Sequence, residues 1–294
     1  MHLNQIPKTI RFSDLWQERL AGYNAGYDYS MRGSMTTSRS FDQAAEVYDN
    51  TRPLFEASAN VGLQSLLEAA GQDARILEVG TGTGRISIPL LERGADLVGC
   101  DLSAKMLLRQ REKYPAARLL QSDAVFLPFP SALFDALLTV HVMHLIGPWR
   151  EALREFRRVL REGGILLNVR TYETVNKAIR WRIRDHWRKW LKTHGVDIRH
   201  PGAQDEEELR AELRGMGARL EEVEVVRYTH RFSLRVILEH YGNRVFSDTW
   251  SIPEDLYQAS LDELRDWVAH EYGDLDAKRE ETVRFVYDAV FFDE

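Results

Sequence analysis

Arg75-Ile-Leu-Glu-Val79 runs straight into Gly80-Thr-Gly-Thr-Gly84, and a helical pattern over 86–93 follows at once. A strand, a glycine turn and a helix in immediate succession start a β-α-β unit, which commits a chain to a parallel sheet. The alternation then repeats. Residues 96–101 read as a second strand, and Ser103 is placed to cap a helix over 104–113. Strands over 118–122 and 134–140 follow, then a helix over 149–160 stopped by Gly163-Gly164, then a strand over 165–170. The predicted class is α/β: a doubly wound, mostly parallel sheet with helices on both faces.

Outside that core the rhythm changes. Residues 1–40 read as a loose, aromatic-rich leader, and 41–70 as helical, with Pro53 between two segments. The pattern predicts a long helix over 175–194, a short one over 205–216 and an outer strand over 219–228. Residues 231–283 read as mostly helical and 284–292 as a last strand. Ser260-x-x-Glu263 has the form of a capping box, and Gly273 is placed to end that helix. The expected organisation is one domain over 1–294: a leader or cap segment 1–70, a core 71–170, a helical cap 171–218, and 219–294 completing the sheet. A net charge of −6 argues against a general nucleic-acid binder. With a single cysteine, Cys100, no internal disulfide can form. There is no basic stub followed by an apolar core, and no apolar run approaches the ~18 residues that span a bilayer. The expectation is a cytoplasmic protein with no membrane partner; nothing in the sequence speaks to its oligomeric state.

Glycines in the turn let the backbone approach a ligand closely, and the helix beyond offers free N–H groups. The spacing is G-x-G-x-G followed by Arg85, not the G-x-G-x-x-G of dinucleotide-binding turns, which counts against a bound pyrophosphate. Asp101 ends the second strand, where an acid can accept from both hydroxyls of a ribose. Capping the next helix is its plainer alternative, but Ser103 already suits that job. Asp123, in Ser122-Asp123-Ala124, follows the third strand and can accept from an exocyclic amine such as adenine N6.

In order, Leu77-Glu-Val-Gly-Thr-Gly-Thr-Gly84, Cys100-Asp-Leu-Ser103 with Met106, Ser122-Asp-Ala124, Phe134-Asp-Ala136 and Arg158-Val-Leu-Arg-Glu-Gly-Gly164 resemble the successive motifs of class I S-adenosylmethionine-dependent methyltransferases. Phe41-Asp-x-Ala-Ala-x-x-Tyr48-Asp-x-x-Arg52-Pro53 is similar to the segment before the glycine motif in the small-molecule branch of that superfamily. The resemblance is strong over 41–170 and weak elsewhere. It implies a Rossmann-like, seven-stranded sheet with one antiparallel strand, which suits 284–292. It implies S-adenosylmethionine as cofactor and a small-molecule acceptor methylated on O, N, S or C. Gly80, Thr81 and Gly82 would line the methionine tail, with Glu78 ordering the turn and its amine contacts. Asp101 would bind the ribose, Leu102 and Met106 would pack on the adenine, and Ser122, Asp123 and Ala124 would meet the adenine edge. Tyr48 and Arg52 would close over the tail, Arg52 beside its carboxylate. Leu102 and Met106 suit a plain core role equally well.

Methyl transfer is an in-line displacement and needs no catalytic triad; none is visible. His141 and His144 follow the fourth strand, at the edge where the cofactor would lie, and either can serve as general base. Their H-x-x-H spacing has no intervening glutamate and no cysteine cluster beside it, so no metal is expected. One thiol is too few for the arsenite-binding branch. Val140-His-Val-Met-His144 lacks the Asn/Asp-Pro-Pro-Tyr/Phe pattern of enzymes that methylate the amino groups of adenine, cytosine or glutamine. In the 175–194 helix, Ile179, Ile183, Trp187, Trp190, Leu191 and His194 make one apolar face. Arg180, Arg182, Arg184, Arg188, Lys189 and Lys192 cover the rest. The plainest reading is a helix packed over the sheet edge with a solvated basic face. A lid over the acceptor, or a basic surface for RNA or an anionic membrane, are the others. Two rival functions stand beside methyl transfer: a scaffold protein that docks through this helix, and a nicotinamide-dependent oxidoreductase, against which the glycine spacing counts.

Overall fold

Every aliphatic run singled out above is a strand. In the computed structural model these are β1 (Arg75–Val79), β2 (Asp96–Asp101), β3 (Arg118–Gln121), β4 (Phe134–Val140), β5 (Leu160–Glu173), β6 (Ala218–Phe232) and β7 (Arg279–Phe292). The helices are α1 (Glu56–Ala70), α2 (Ser87–Glu92), α3 (Ala104–Lys113), α4 (Trp149–Val159), α5 (Ile179–Thr193), α6 (Glu206–Gly215), α7 (Leu234–Gly242) and α8 (Glu254–Tyr272). The structure describes residues 38, 40–42, 45, 56–173, 179–244, 246, 249, 250 and 252–292.

The strands form one seven-stranded sheet in the order β3-β2-β1-β4-β5-β7-β6. The pairs among β1 to β5 are parallel, and β7 runs antiparallel to both β5 and β6. A doubly wound, mostly parallel seven-stranded sheet is therefore what the chain builds. Leu77 and Leu137, at the centre, are wholly buried, as expected of strands covered on both faces. The chain order reverses between β1 and β4, so their carboxyl ends flank the crevice where open α/β sheets take their ligands.

Two cores result. Ile76, Leu97, Leu138 and Leu167 of the sheet pack with Leu63 and Leu66 of α1. A second cluster joins Ile183, Trp187 and Leu191 of α5 to Ile237 and Tyr241 of α7 and to Tyr257, Leu261 and Leu264 of α8. The apolar stripe of α5 thus meets two helices from 234–272 together with Phe232, at the end of the edge strand β6. Between the sheet and α6 lies a buried ionic network. Arg170 of β5 donates to Asp288 of β7 at 2.6 Å and to Glu206 of α6 at 2.6 Å, and Arg210 of α6 donates to the same Asp288 oxygen at 2.7 Å.

Four local expectations need correction. Ser260 does not start a helix: α8 begins at Glu254, and Ser260 is buried inside it, accepting from Trp187 Nε1 at 3.0 Å and donating to Tyr257 O at 2.7 Å. Gly163 and Gly164 do not stop α4, which ends at Val159; they lie within β5, next to a shift in its register with β4. Strand β6 runs on to Phe232, and β7 begins at Arg279, inside a stretch expected to be helical. Gly273 does end α8, with φ of 72°. Among the described residues, no helix is long and apolar enough to cross a membrane.

Candidate functional site

The turn after β1 is held from below and from the side. Gly80 N and Thr81 N both donate to Cys100 O, at 2.8 and 3.0 Å, which ties the turn to the end of β2. Gly80 has φ of 77°, and a Cβ there would lie 2.6 Å from the Val142 side chain, so only glycine lets the loop after β4 approach this closely. Beneath the turn, Thr81 Oγ1 meets Glu78 Oε2 at 3.0 Å and Ser87 Oγ at 2.8 Å, and Gln110 Nε2 donates to Ser87 Oγ at 2.7 Å. All four side chains are buried. Burial pushes the Glu78 carboxyl up to about 8, against the opposing pull of Thr81 and Ser87.

Asp101 closes the ring. Its Oδ2 accepts from Gly82 N at 2.9 Å and its Oδ1 from Ser103 N at 2.8 Å, so the carboxylate braces two loops at once. Desolvation raises its pKa to about 6, opposed by the backbone donors of Ser103 and Gly82. Capping of α3 falls to Ser103, whose Oγ accepts from Met106 N at 3.1 Å and donates to Asp42 at 2.5 Å. Ser122 N donates to Asp101 O at 3.0 Å, and Asp123 Oδ1 accepts from Val125 N at 3.1 Å.

These elements line an open cleft of about 700 Å³, mouth included. Gly80, Gly82, Asp101, Leu102, Met106, Ser122, Asp123, Ala124 and His141 line it. Glu78 and Thr81 do not; they lie under the turn and hold its shape. Tyr48 and Arg52 lie outside the described residues. Sequence reasoning missed Val142, Leu145 and Ile146, which supply one apolar wall from the short helical turn Met143–Leu145 and its flanks. It also left without a role Phe41, which lines the cleft and sets its ring 4.8 Å from Trp250, edge to face.

His141 has φ of 51°, a left-handed backbone that costs a residue with a Cβ, at the point where β4 ends. It lines the first cleft and also a second cavity of about 930 Å³, mouth included. His144 lines only the second. Arg184, Arg188 and His200 line it too. Helical spacing put the two arginines on a basic face without saying what that face meets, and gave His200 no role.

The cleft fits the expected cofactor. It offers the Asp101 carboxylate at the end of β2, a polar strand end at Ser122 and Asp123, and a glycine turn with open space in front of Gly82. Known proteins agree. A methyltransferase domain model matches residues 77–168. A malonyl-[acyl-carrier protein] O-methyltransferase of Enterobacter lignolyticus is 30% identical over 173 residues, covering 56% of this chain and 67% of that protein. An uncharacterised methyltransferase of Mycobacterium tuberculosis is 33% identical over 173 residues, covering 57% of this chain; the match spans 64% of the mycobacterial protein's own length. The crystal structure of a candidate methyltransferase from Bacillus halodurans superposes with a TM-score of 0.54 at 17% identity, over 79% of this chain and 99% of that one, and shares the fold. With its ordered motifs, its sheet and these relatives, the chain belongs to the class I S-adenosylmethionine-dependent methyltransferases, whose methyl donor is S-adenosylmethionine.

Proposed function

We propose that this protein transfers the methyl group of S-adenosylmethionine to a small-molecule acceptor, on O, N, S or C. The observation that carries the reading is the junction of two cavities at His141 and Val142. One has the walls of a donor pocket, and the other gives an acceptor a place to meet it. The donor supplies an electrophilic methyl on a sulfonium. Asp101 accepts from the ribose hydroxyls, Asp123 and the backbone at Ala124 face the adenine edge, and Leu102 and Met106 pack on its ring. Gly80 and Gly82 pass close to the methionine tail, while Glu78 and Thr81 keep the turn in shape. Val142, Leu145 and Ile146 exclude water from the side where the nucleophile attacks, which favours an aligned displacement. His141, at the junction, takes the acceptor's proton on a ring nitrogen where the acceptor carries one. The small-molecule reading also suits a cytoplasmic setting, in which the buried Cys100 stays reduced.

The docking rival has less support. On α5, Arg180 donates to Glu281 at 2.9 Å and Arg182 to Glu271 at 2.6 Å, while Arg184 and Arg188 line the second cavity. Lys189 is exposed but paired with Asp185 at 2.7 Å, and Lys192 is exposed at the end of the helix, so the open basic face is smaller than the six charges suggest.

The test is transfer of labelled methyl from S-adenosylmethionine across a panel of small acceptors, with the wild type and His141→Asn. Asparagine tolerates the left-handed backbone at this position, so the fold should persist. The variant should lose roughly a hundredfold or more in rate while keeping its affinity for S-adenosylhomocysteine. Full activity in His141→Asn removes the base from the mechanism. Cofactor binding with no methylated acceptor favours the scaffold rival.

A further inference from the structure

Phe41 is part of the wall of the first cleft, and its ring meets the Trp250 ring edge to face, with centroids 4.8 Å apart and planes at 72°. Such a pair attracts beyond the area it buries, because the positive edge of one ring lies against the negative face of the other. Trp250 itself does not line the cleft. It sits in the connection between α7 and α8. Its Nε1 donates to Arg244 O at 2.9 Å. Arg244 donates in turn to Ile252 O at 3.3 Å and to Glu254 at 2.8 Å, with its guanidinium 4.0 Å from the centre of the Tyr257 ring. Phe246 and Ile252, on either side of Trp250 in the chain, pack in the cluster of α5, α7 and α8. The place of the indole is therefore set by that cluster.

The residue after Phe41 is tied to α3. Asp42 Oδ1 accepts from Ser103 Oγ at 2.5 Å and from Lys105 N at 3.3 Å. Ser103 N donates to Asp101, so Ser103 joins Asp42 to the acid that ends β2. Ser38 also lines the cleft, but its hydroxyl is buried and finds no hydrogen-bond partner among the described residues, so it gives no polar anchor there. Asp42 on α3 and Phe41 on Trp250 are the two holds that set this side of the cleft.

We infer that Trp250 is a positioning residue of the donor site: it holds the Phe41 ring as a wall of the cleft, and so tightens the binding of S-adenosylmethionine from outside the cleft. The inference rests on the reading of this cleft as the donor site. Leucine is the diagnostic substitution at both positions, since it keeps apolar bulk and removes the ring.

The test is a double-mutant cycle on donor affinity, read by calorimetry with S-adenosylhomocysteine on the full chain. Melting curves establish that each variant is folded at the titration temperature. Trp250→Leu should weaken binding about three- to tenfold, and Phe41→Leu by at least as much. In Phe41→Leu/Trp250→Leu the second substitution should add nothing, since the indole acts through that one ring. Trp250→Phe, which keeps an aromatic partner and loses the bond to Arg244 O, should recover most of the affinity. Trp187→Ala removes a wholly buried ring from the same cluster. It should lower the melting temperature more than Trp250→Leu does and leave donor affinity unchanged, which separates positioning from stability. Losses that multiply in the double variant, or an equal loss of affinity in Trp187→Ala, overturn the inference. A wild type that takes no S-adenosylhomocysteine removes the donor reading of the cleft and this inference with it. A wild type that binds it, matched by a folded Trp250→Leu, removes this inference alone.

Discussion

Asp101 braces Gly82 and Ser103 and, in the proposed role, also receives two hydroxyls. Its carboxyl titrates near 6 in the free protein because burial disfavours the charge. Hydroxyl donors need the ionised form, so cofactor affinity should be level above about pH 7 and weaken as pH falls through 6, by up to about tenfold per unit below it. Asp101→Asn should bind more weakly at pH 7.5 and lose that dependence. Calorimetric titrations at pH 5.5, 6.5 and 7.5 decide it, and a pH-independent wild type contradicts the assignment. Glu78 titrates near 8, above its unfolded value of 4.5. A raised folded pKa means that the favourable contribution of the neutral acid is complete below about 4.5 and is lost as pH rises through 8. Glu78→Gln should therefore match the wild type at pH 5 and be more stable at pH 9, by an amount on the order of a few kcal/mol. Thermal melts across that range should show the wild type, but not the variant, losing stability. At this scale the sequence revealed the residues tied to strand ends, because Gly80, Asp101 and Asp123 sit where a β-α unit must expose them. It did not reveal Arg184, Arg188 or His200. Helical periodicity says that a basic flank exists, but only the packing of its neighbour decides what that flank faces.

Helix α5 shows the same limit for whole elements. Its apolar stripe was legible from spacing, but its partners were not, since α7 and α8 follow α5 only after another helix and β6. Trp187 is wholly buried between them and donates to Ser260. Trp187→Ala should cost about 3–5 kcal/mol through the cavity it leaves and the lost hydrogen bond. Urea unfolding reads this directly, and a loss under about 1 kcal/mol would show that the cap core packs differently. The Arg170–Asp288–Arg210 network is the corresponding junction between sheet and α6. Removing the shared acid in Asp288→Ala takes the one buried carboxylate from both guanidinium groups and leaves Arg170 on Glu206 and Arg210 on Glu207 and Glu222, all partly exposed, at a cost of about 1–3 kcal/mol. The same urea titration tests it. The capping box expected at Ser260 failed for a related reason. The pattern fits a helix start, but Pro253-Glu254-Asp255 already begins α8, and Ser260 is held inside by Trp187.

Across the whole molecule, the alternation of aliphatic runs with helical segments was enough to read the parallel sheet and the edge at which the cleft lies. Local signals carried that much because each strand and its following helix are neighbours in sequence. The cluster of α5, α7 and α8 and the second cavity depend on contacts between segments far apart in the chain, which no local pattern records. The central claim is that the glycine turn, Asp101 and the loop after β4 together make an S-adenosylmethionine site. The most direct test is calorimetry on the full chain with S-adenosylmethionine, S-adenosylhomocysteine and NAD in parallel, repeated with Asp101→Ala. The account predicts that the first two bind and NAD does not, and that the variant, still folded, binds at least tenfold more weakly, since each charge-assisted hydrogen bond lost contributes roughly 1.5–3 kcal/mol. Binding of NAD alone, or affinity unchanged in a folded Asp101→Ala, would contradict it.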